Sequence, residues 1–308
     1  MYYMKKLLQP KPIAIITSIS MFFVLIGGAL VTKTESGLGC GRSWPLCDGQ
    51  LIPTDITFEL VVEFGHRIMS GIGIILVLLL SYIAWKDYRD IKETKFLVYL
   101  SILFLIIQSL LGAAAVLFDQ SSIIKAMHFG ISLVAFAASV LLALIIFDVD
   151  RKLHTERVHI PKWLRINFWG LFVYTLIVVY SGALVRHKYS SLVCPDWPFC
   201  YNNSPTMAGL STDQWIQMGH RLMAGILFLW VVVLFIQVMR KINQPFIRKV
   251  WLIATIFIFL QVVLGAFIIF TTGNIFVGLL HATFISLFFT ILCYFLMLAR
   301  RSKLANEQ

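Results

Sequence analysis

Glu63-Phe64-Gly65-His66-Arg67 stands at the head of one apolar run, and 154 residues later Gln217-Met218-Gly219-His220-Arg221 stands at the head of another. The correspondence extends both ways. Upstream, Gly28-Ala29-Leu30-Val31 matches Gly182-Ala183-Leu184-Val185, Cys40 and Cys47 match Cys194 and Cys200, and Trp44-Pro45-Leu46-Cys47 matches Trp197-Pro198-Phe199-Cys200. Downstream, Gln108-x-x-Leu111-Gly112-Ala113 matches Gln261-x-x-Leu264-Gly265-Ala266, and His128 matches His281, at an offset of 153. So many matches at offsets of 153 or 154 mark an internal duplication.

Both copies belong in lipid. Apolar residues make up 59% of the chain and charged ones 13%, with a mean hydropathy of +0.85, well outside the range of soluble domains. Runs long enough to cross roughly 30 Å of hydrocarbon are Ile13–Val31, Leu60–Trp85, Phe96–Phe118, Ala126–Phe147, Ile166–Val185, Trp215–Met239, Val250–Thr272 and Ile275–Ala299. Lys5 and Lys6 precede the first run as they would in a secretory signal. That run is too long for a signal core and no small-x-small cleavage site precedes Thr32, so it reads as a span. The expected fold is an all-α membrane protein, with eight transmembrane helices forming two parallel-repeat four-helix bundles: residues 1–150, and residues 151–308.

An even number of spans puts both termini on one side. The connections 1–12, 86–95, 148–165, 240–249 and 300–308 hold 19 basic residues; the opposite connections hold Lys33, Arg42, Lys125, Arg186 and Lys188. The positive-inside rule makes the termini cytoplasmic. The same asymmetry accounts for the net charge of +11, whose partner is anionic lipid and not nucleic acid.

His66 and His128 fall on the second and fourth spans of the first copy, and His220 and His281 on those of the second. Each lies five to seven residues past the point where its span enters from the outer face, roughly 8–10 Å deep. Two imidazoles facing inward across a four-helix bundle can take both axial positions of a haem iron. A single intramembrane histidine is as readily a polar contact between helices, but four at duplicated positions point to two haems. Arg67 and Arg221 follow their histidines and are candidates for haem propionate contacts or for snorkelling to the interface. Gln108 and Gln261 read as bonds across helices.

The copies differ most sharply at Glu63, whose counterpart is Gln217. Glu63 shares a helical face with His66 and is placed to give or take a proton beside a macrocycle; otherwise it merely suits the positive end of a helix. On the first of these readings the first copy does chemistry and the second stores or relays electrons. Cys40 with Cys47, and Cys194 with Cys200, can each close a ring around a Trp-Pro segment on the side where disulfides persist, as a staple or as a redox-active pair. Cys293 reads as a small apolar filler, His154 and His159 as solvated, and His187 has no repeat partner.

Taken together, Gly27-Gly-Ala-Leu-Val-Thr-Lys-Thr34, the Cys-Gly-x-x-Trp-Pro-Leu-Cys of residues 40–47, Glu63-x-x-His66-Arg67, His128-Phe-Gly130, Gly182-Ala-Leu-Val-Arg-His187 and Gly219-His-Arg221 resemble the haem A synthase family, in its bacterial type with two outer-loop cysteine pairs. The resemblance covers essentially the whole chain. It implies an oxidoreductase of the bacterial plasma membrane that converts a methyl group of haem O to a formyl group, supplying haem A to terminal oxidases. It further implies that His66 and His128 face the substrate haem and that His220 and His281 ligate the iron of a haem B cofactor. Glu63 becomes the essential acid, Cys40 and Cys47 the pair tied to activity, and the haem O synthase a candidate partner; the electron acceptor is not given. Glu35 stands where the family pattern expects glycine. Two rival readings are a di-haem membrane cytochrome that only carries electrons, and a transporter, which parallel repeats favour but the clustering of polar residues near one face does not.

Overall fold

Eight long helices carry the chain, with no extended strand among the described residues, which in this computed structural model are 9–118, 121–153, 158–201 and 208–305. The chain ends and His154 lie outside them. In order, the helices are α1 (Pro10–Lys33), α2 (Phe58–Asp87), α3 (Thr94–Leu117), α4 (Ser122–Ile146), α5 (Lys162–His187), α6 (Thr212–Lys241), α7 (Pro245–Phe270) and α8 (Ile275–Ala305). All eight are long and apolar enough to cross a bilayer, so the chain is a multi-pass membrane protein. The helices overrun the expected spans by a few residues at most ends, because capping and not hydropathy decides where a helix stops. Pro10 and Pro245 occupy first-turn positions where a missing N–H costs nothing. Thr57 caps α2 by accepting from the Leu60 N–H, and Ser211 forms a capping box with Gln214 at α6.

Several carboxyl-terminal ends close through a left-handed residue that is not glycine. At α1 the Glu35 N–H bonds the Thr32 carbonyl and the Ser36 N–H the Val31 carbonyl, with Glu35 at φ 57°. Thr272, at φ 49°, does the same for α7. The glycine that the sequence pattern expects at position 35 thus has a conformational reason, and Glu35 fills a site that favours glycine.

Contacts gather into two units, residues 1–156 and 157–308. In the first, α1 and α3 each pack against both α2 and α4, which closes a ring of four helices. Gly73 of α2 lets α1 approach closely: a Cβ there would sit 3.3 Å from Val24 and 3.4 Å from Met21. Thr17 satisfies its hydroxyl on the Ile13 carbonyl of its own helix. In the second unit α5 and α7 each pack against α6 and α8. Its interior is held by aromatic contacts, with Phe168 centroids 5.3 Å from Trp251 and 4.8 Å from Phe295, and by the Trp230 indole N–H donating to Asn167. Ile75, Leu110 and Leu229 face outward, as lipid-facing side chains do.

Candidate functional site

Each unit carries a disulfide-closed loop on the helix that bears its first histidine. Cys40 and Cys47 are bonded, as are Cys194 and Cys200, and all four are buried. The first disulfide packs on Leu60 and Phe64 of α2, the second on Met218 of α6 with Phe199 and Leu210. The sulfurs are buried between loop and helix, a position that suits the staple, one of the two uses the cysteine spacing allows. Gly39 makes the docking possible, since a Cβ at that position would lie 2.3 Å from the Glu59 carbonyl oxygen.

Glu63 and Gln217 hold these loops down in the same way. Glu63 Oε2 accepts from the Cys40 N–H at 2.8 Å, and Gln217 Oε1 accepts from the Cys194 N–H at 2.8 Å. Both residues are 3% exposed. Beyond this shared bond the units part. The Glu63 carboxylate pairs with Arg67 one turn on, through Nε at 3.1 Å and through Nη2, while the Gln217 amide donates instead to the Ser191 carbonyl at 2.6 Å. A carboxylate with no donor of its own takes a cation; an amide completes its bonds on the backbone. The first unit therefore holds a buried charge pair where the second holds a neutral side chain.

The two arginines clamp the loops. Arg67 Nη1 donates to the Ser43 and Leu46 carbonyls at 2.8 and 2.7 Å. Arg221 donates to the Cys194, Asp196, Pro198 and Phe199 carbonyls. Four of the five N–H groups of Arg67 are thus engaged, leaving one for any further acceptor. Sequence reasoning does not see this use, because the loop residues that meet Arg67 lie 21 and 24 positions away.

All four histidine rings lie against glycines on a neighbouring helix. A Cβ on Gly28 of α1 would stand 3.3 Å from His66 Cε1; on Gly112 of α3, 3.2 Å from His128 Cε1; on Gly182 of α5, 2.8 Å from His220 Cε1; and on Gly265 of α7, 3.3 Å from His281 Cε1. Each imidazole is thereby held against bare backbone by steric fit. The histidines lie about 9–12 Å inside the loop ends of their helices, counted at 1.5 Å per residue from the first helical residue. Partly exposed imidazoles, each set against glycine on a neighbouring helix, are a donor set that would suit a haem iron, to which imidazole nitrogens are common ligands. The glycine seats escape sequence reasoning as seats, although a duplicated glycine inside an apolar helix, at a cost of about 1 kcal/mol relative to alanine, is the signal that could have found them.

The expected interhelical bonds of Gln108 and Gln261 are not formed by their amide oxygens, which are buried without a partner among the described residues. Both residues stand one turn before a glycine seat, Gly112 and Gly265 respectively. Cys293 is a free thiol in α8, and His187 ends α5.

Residues 11–293 match the cytochrome oxidase assembly protein family, COX15-CtaA. The chain is similar to the Heme A synthase of Lysinibacillus sphaericus, 47% identical over 290 residues that cover 94% of either chain. It is 47% identical to the Heme A synthase of Geobacillus thermodenitrificans over 93% of this chain and 90% of that one. With the Heme A synthase of Bacillus cereus it shares 45% identity over 97% of this chain and 96% of that one.

Proposed function

Because the chain belongs to the cytochrome oxidase assembly protein family, we propose that it acts as a haem A synthase, an oxidoreductase that converts a methyl group on one pyrrole ring of haem O to the formyl group of haem A. It works in the bacterial plasma membrane with both termini cytoplasmic, a reading supported by the 19 basic residues on the connections of that side. Residues 1–150 receive haem O between His66 and His128, and residues 151–308 hold haem B through His220 and His281. The observation that carries this reading is the set of four histidine rings seated on glycine at matching places in the two units. Such seats fix ring orientation before a haem arrives, which lowers the ordering cost of binding.

Haem B, when bound, supplies a one-electron centre whose potential is set by paired imidazole ligation. Written with water as the oxygen source, the conversion of the methyl carbon to a formyl carbon releases four protons and passes four electrons to an external acceptor, so a proton acceptor is needed beside the substrate and not beside the cofactor. Glu63 meets that need. It lies three residues before His66, on the same helical face, and it carries charge where Gln217 does not. Its two oxygens keep lone pairs beyond those used by the Cys40 N–H and Arg67, so it can take a proton without leaving its place. The disulfide loop above it, clamped by Arg67, limits the entry of bulk water. Arg67 has one N–H to spare for a propionate of haem O, and the farnesyl tail of haem O lies along apolar, lipid-facing helix surface.

The test is pigment extraction from protein expressed beside a source of haem O. A formyl haem that forms only when the chain is present supports the synthase. Unchanged haem O together with bound haem in both units would instead make the protein a di-haem electron carrier.

A further inference from the structure

Glu63 and Gln217 are not the only difference between the two histidine sites. Ser181 of α5 has its hydroxyl 2.9 Å from His220 Nδ1 and 2.7 Å from the Val178 carbonyl oxygen. A hydroxyl has one hydrogen and a carbonyl has none to give, so the hydroxyl donates to Val178 and turns a lone pair to the ring. His220 Nδ1 then carries the ring proton and donates it to Ser181, which leaves Nε2 free to bind a metal. In the first unit the repeat puts Gly27 where the second has Ser181. A Cβ on Gly27 would stand 3.2 Å from His66 Nδ1, so the position faces the same ring nitrogen but offers it nothing, and His66 Nδ1 is buried with no hydrogen-bond partner among the described residues.

We propose that Ser181 is a positioning residue that makes His220 a permanent haem ligand, and that Gly27 leaves His66 a ligand from which haem can depart. The proposal rests on the reading of these histidines as haem ligands, and it explains how one chain keeps one haem while passing another through. A partner on the second ring nitrogen fixes the tautomer, holds the ring in plane and raises the basicity of the ligating nitrogen; its removal typically weakens metal binding 10–100-fold. A substrate ligand is under the opposite demand. A firm grip on haem O would be a firm grip on haem A, and product release would limit turnover. Greater basicity also favours the ferric form, so the Ser181 bond lowers the potential of the second site.

The experiment uses the full-length protein purified in detergent with its haem, as Ser181→Ala, which removes the hydroxyl at little helical cost, and Ser181→Thr, which keeps it. Haem B release into excess apomyoglobin and the midpoint potential of the bound haem are read on each. Ser181→Ala is expected to release haem B 10–100-fold faster with a potential shifted upward, and Ser181→Thr to stay within about threefold of the parent at an unshifted potential. In Gly27→Ser the haem extracted as O or A is expected to leave more slowly than in the parent. Parental release and potential in Ser181→Ala overturn the role of Ser181, as does equal loss in Ser181→Thr, and parental release in Gly27→Ser overturns that of Gly27. A parent protein that keeps its haem B after His220→Ala fails earlier, at the ligand assignment itself.

Discussion

Glu63→Gln separates the two jobs of this side chain, because the protein already contains the result in its other half. Gln217 accepts from a cysteine N–H at 2.8 Å, as Glu63 does, and sits equally buried, so an amide at position 63 can keep the bond to Cys40. What is lost is the charge opposite Arg67. Breaking a buried ion pair outright costs about 3–5 kcal/mol, but Arg67 retains the Ser43 and Leu46 carbonyls, and the new amide oxygen can still accept. The structural cost is therefore closer to the difference between a charged and a neutral hydrogen bond, about 1–2 kcal/mol. A positioned proton acceptor contributes about 10²–10⁴ in rate, equivalent to about 3–5 kcal/mol of barrier. The assay is haem A formed per chain, run beside haem B content and thermal unfolding of the same preparation. Haem A output should fall at least 100-fold while haem B content stays at the parental level. Output within threefold of the parent would remove Glu63 from the chemistry and leave it as a loop latch; loss of haem B along with activity would mean that the latch and not the proton is what matters.

Other substitutions probe the seats and the caps. Gly182→Ala puts a Cβ 2.8 Å from the His220 ring and should strip haem B from the purified protein, whereas Gly225→Ala on the same histidine-bearing helix, with nothing within 4 Å, should leave haem content unchanged; absorbance at the haem band per chain checks both. Glu35→Gly relieves a left-handed residue at the end of α1 and should raise stability by about 1 kcal/mol, read as a higher midpoint in thermal unfolding. Arg67→Lys keeps the charge but cannot span Glu63 and two carbonyls at once. It should cost about 1–2 kcal/mol and raise amide hydrogen exchange across residues 40–47, while parental exchange there would show that the clamp is not what holds the loop.

The spans and the histidine positions are legible in the sequence because both depend on period and length, which a single chain displays. The disulfide pairs are legible as spacing, although spacing alone leaves open whether they staple or react. The partners of Glu63 are not legible. Its bond to Cys40 joins residues 23 positions apart through a loop whose path no helical rule fixes. The same holds for the arginines: a guanidinium directly after an intramembrane histidine suggests propionates, yet Arg67 spends two donors on loop carbonyls and two on Glu63, and Arg221 bonds four loop carbonyls. The duplicated glycines are visible as marks of the repeat, but their use depends on which way a neighbouring imidazole turns, and that is decided by packing between helices. Gln108 shows the reverse case, where a polar residue in an apolar helix suggests a bond that its oxygen does not make.

The division of labour between the units is tested most directly by extracting and identifying the haems held by purified His66→Ala and His220→Ala, each made beside a source of haem O. His66→Ala should retain haem B at the parental level and carry neither haem O nor haem A. His220→Ala should lose haem B and make no haem A. Haem B that survives without His220, or that disappears equally in both variants, would contradict the assignment of substrate to the first unit and cofactor to the second.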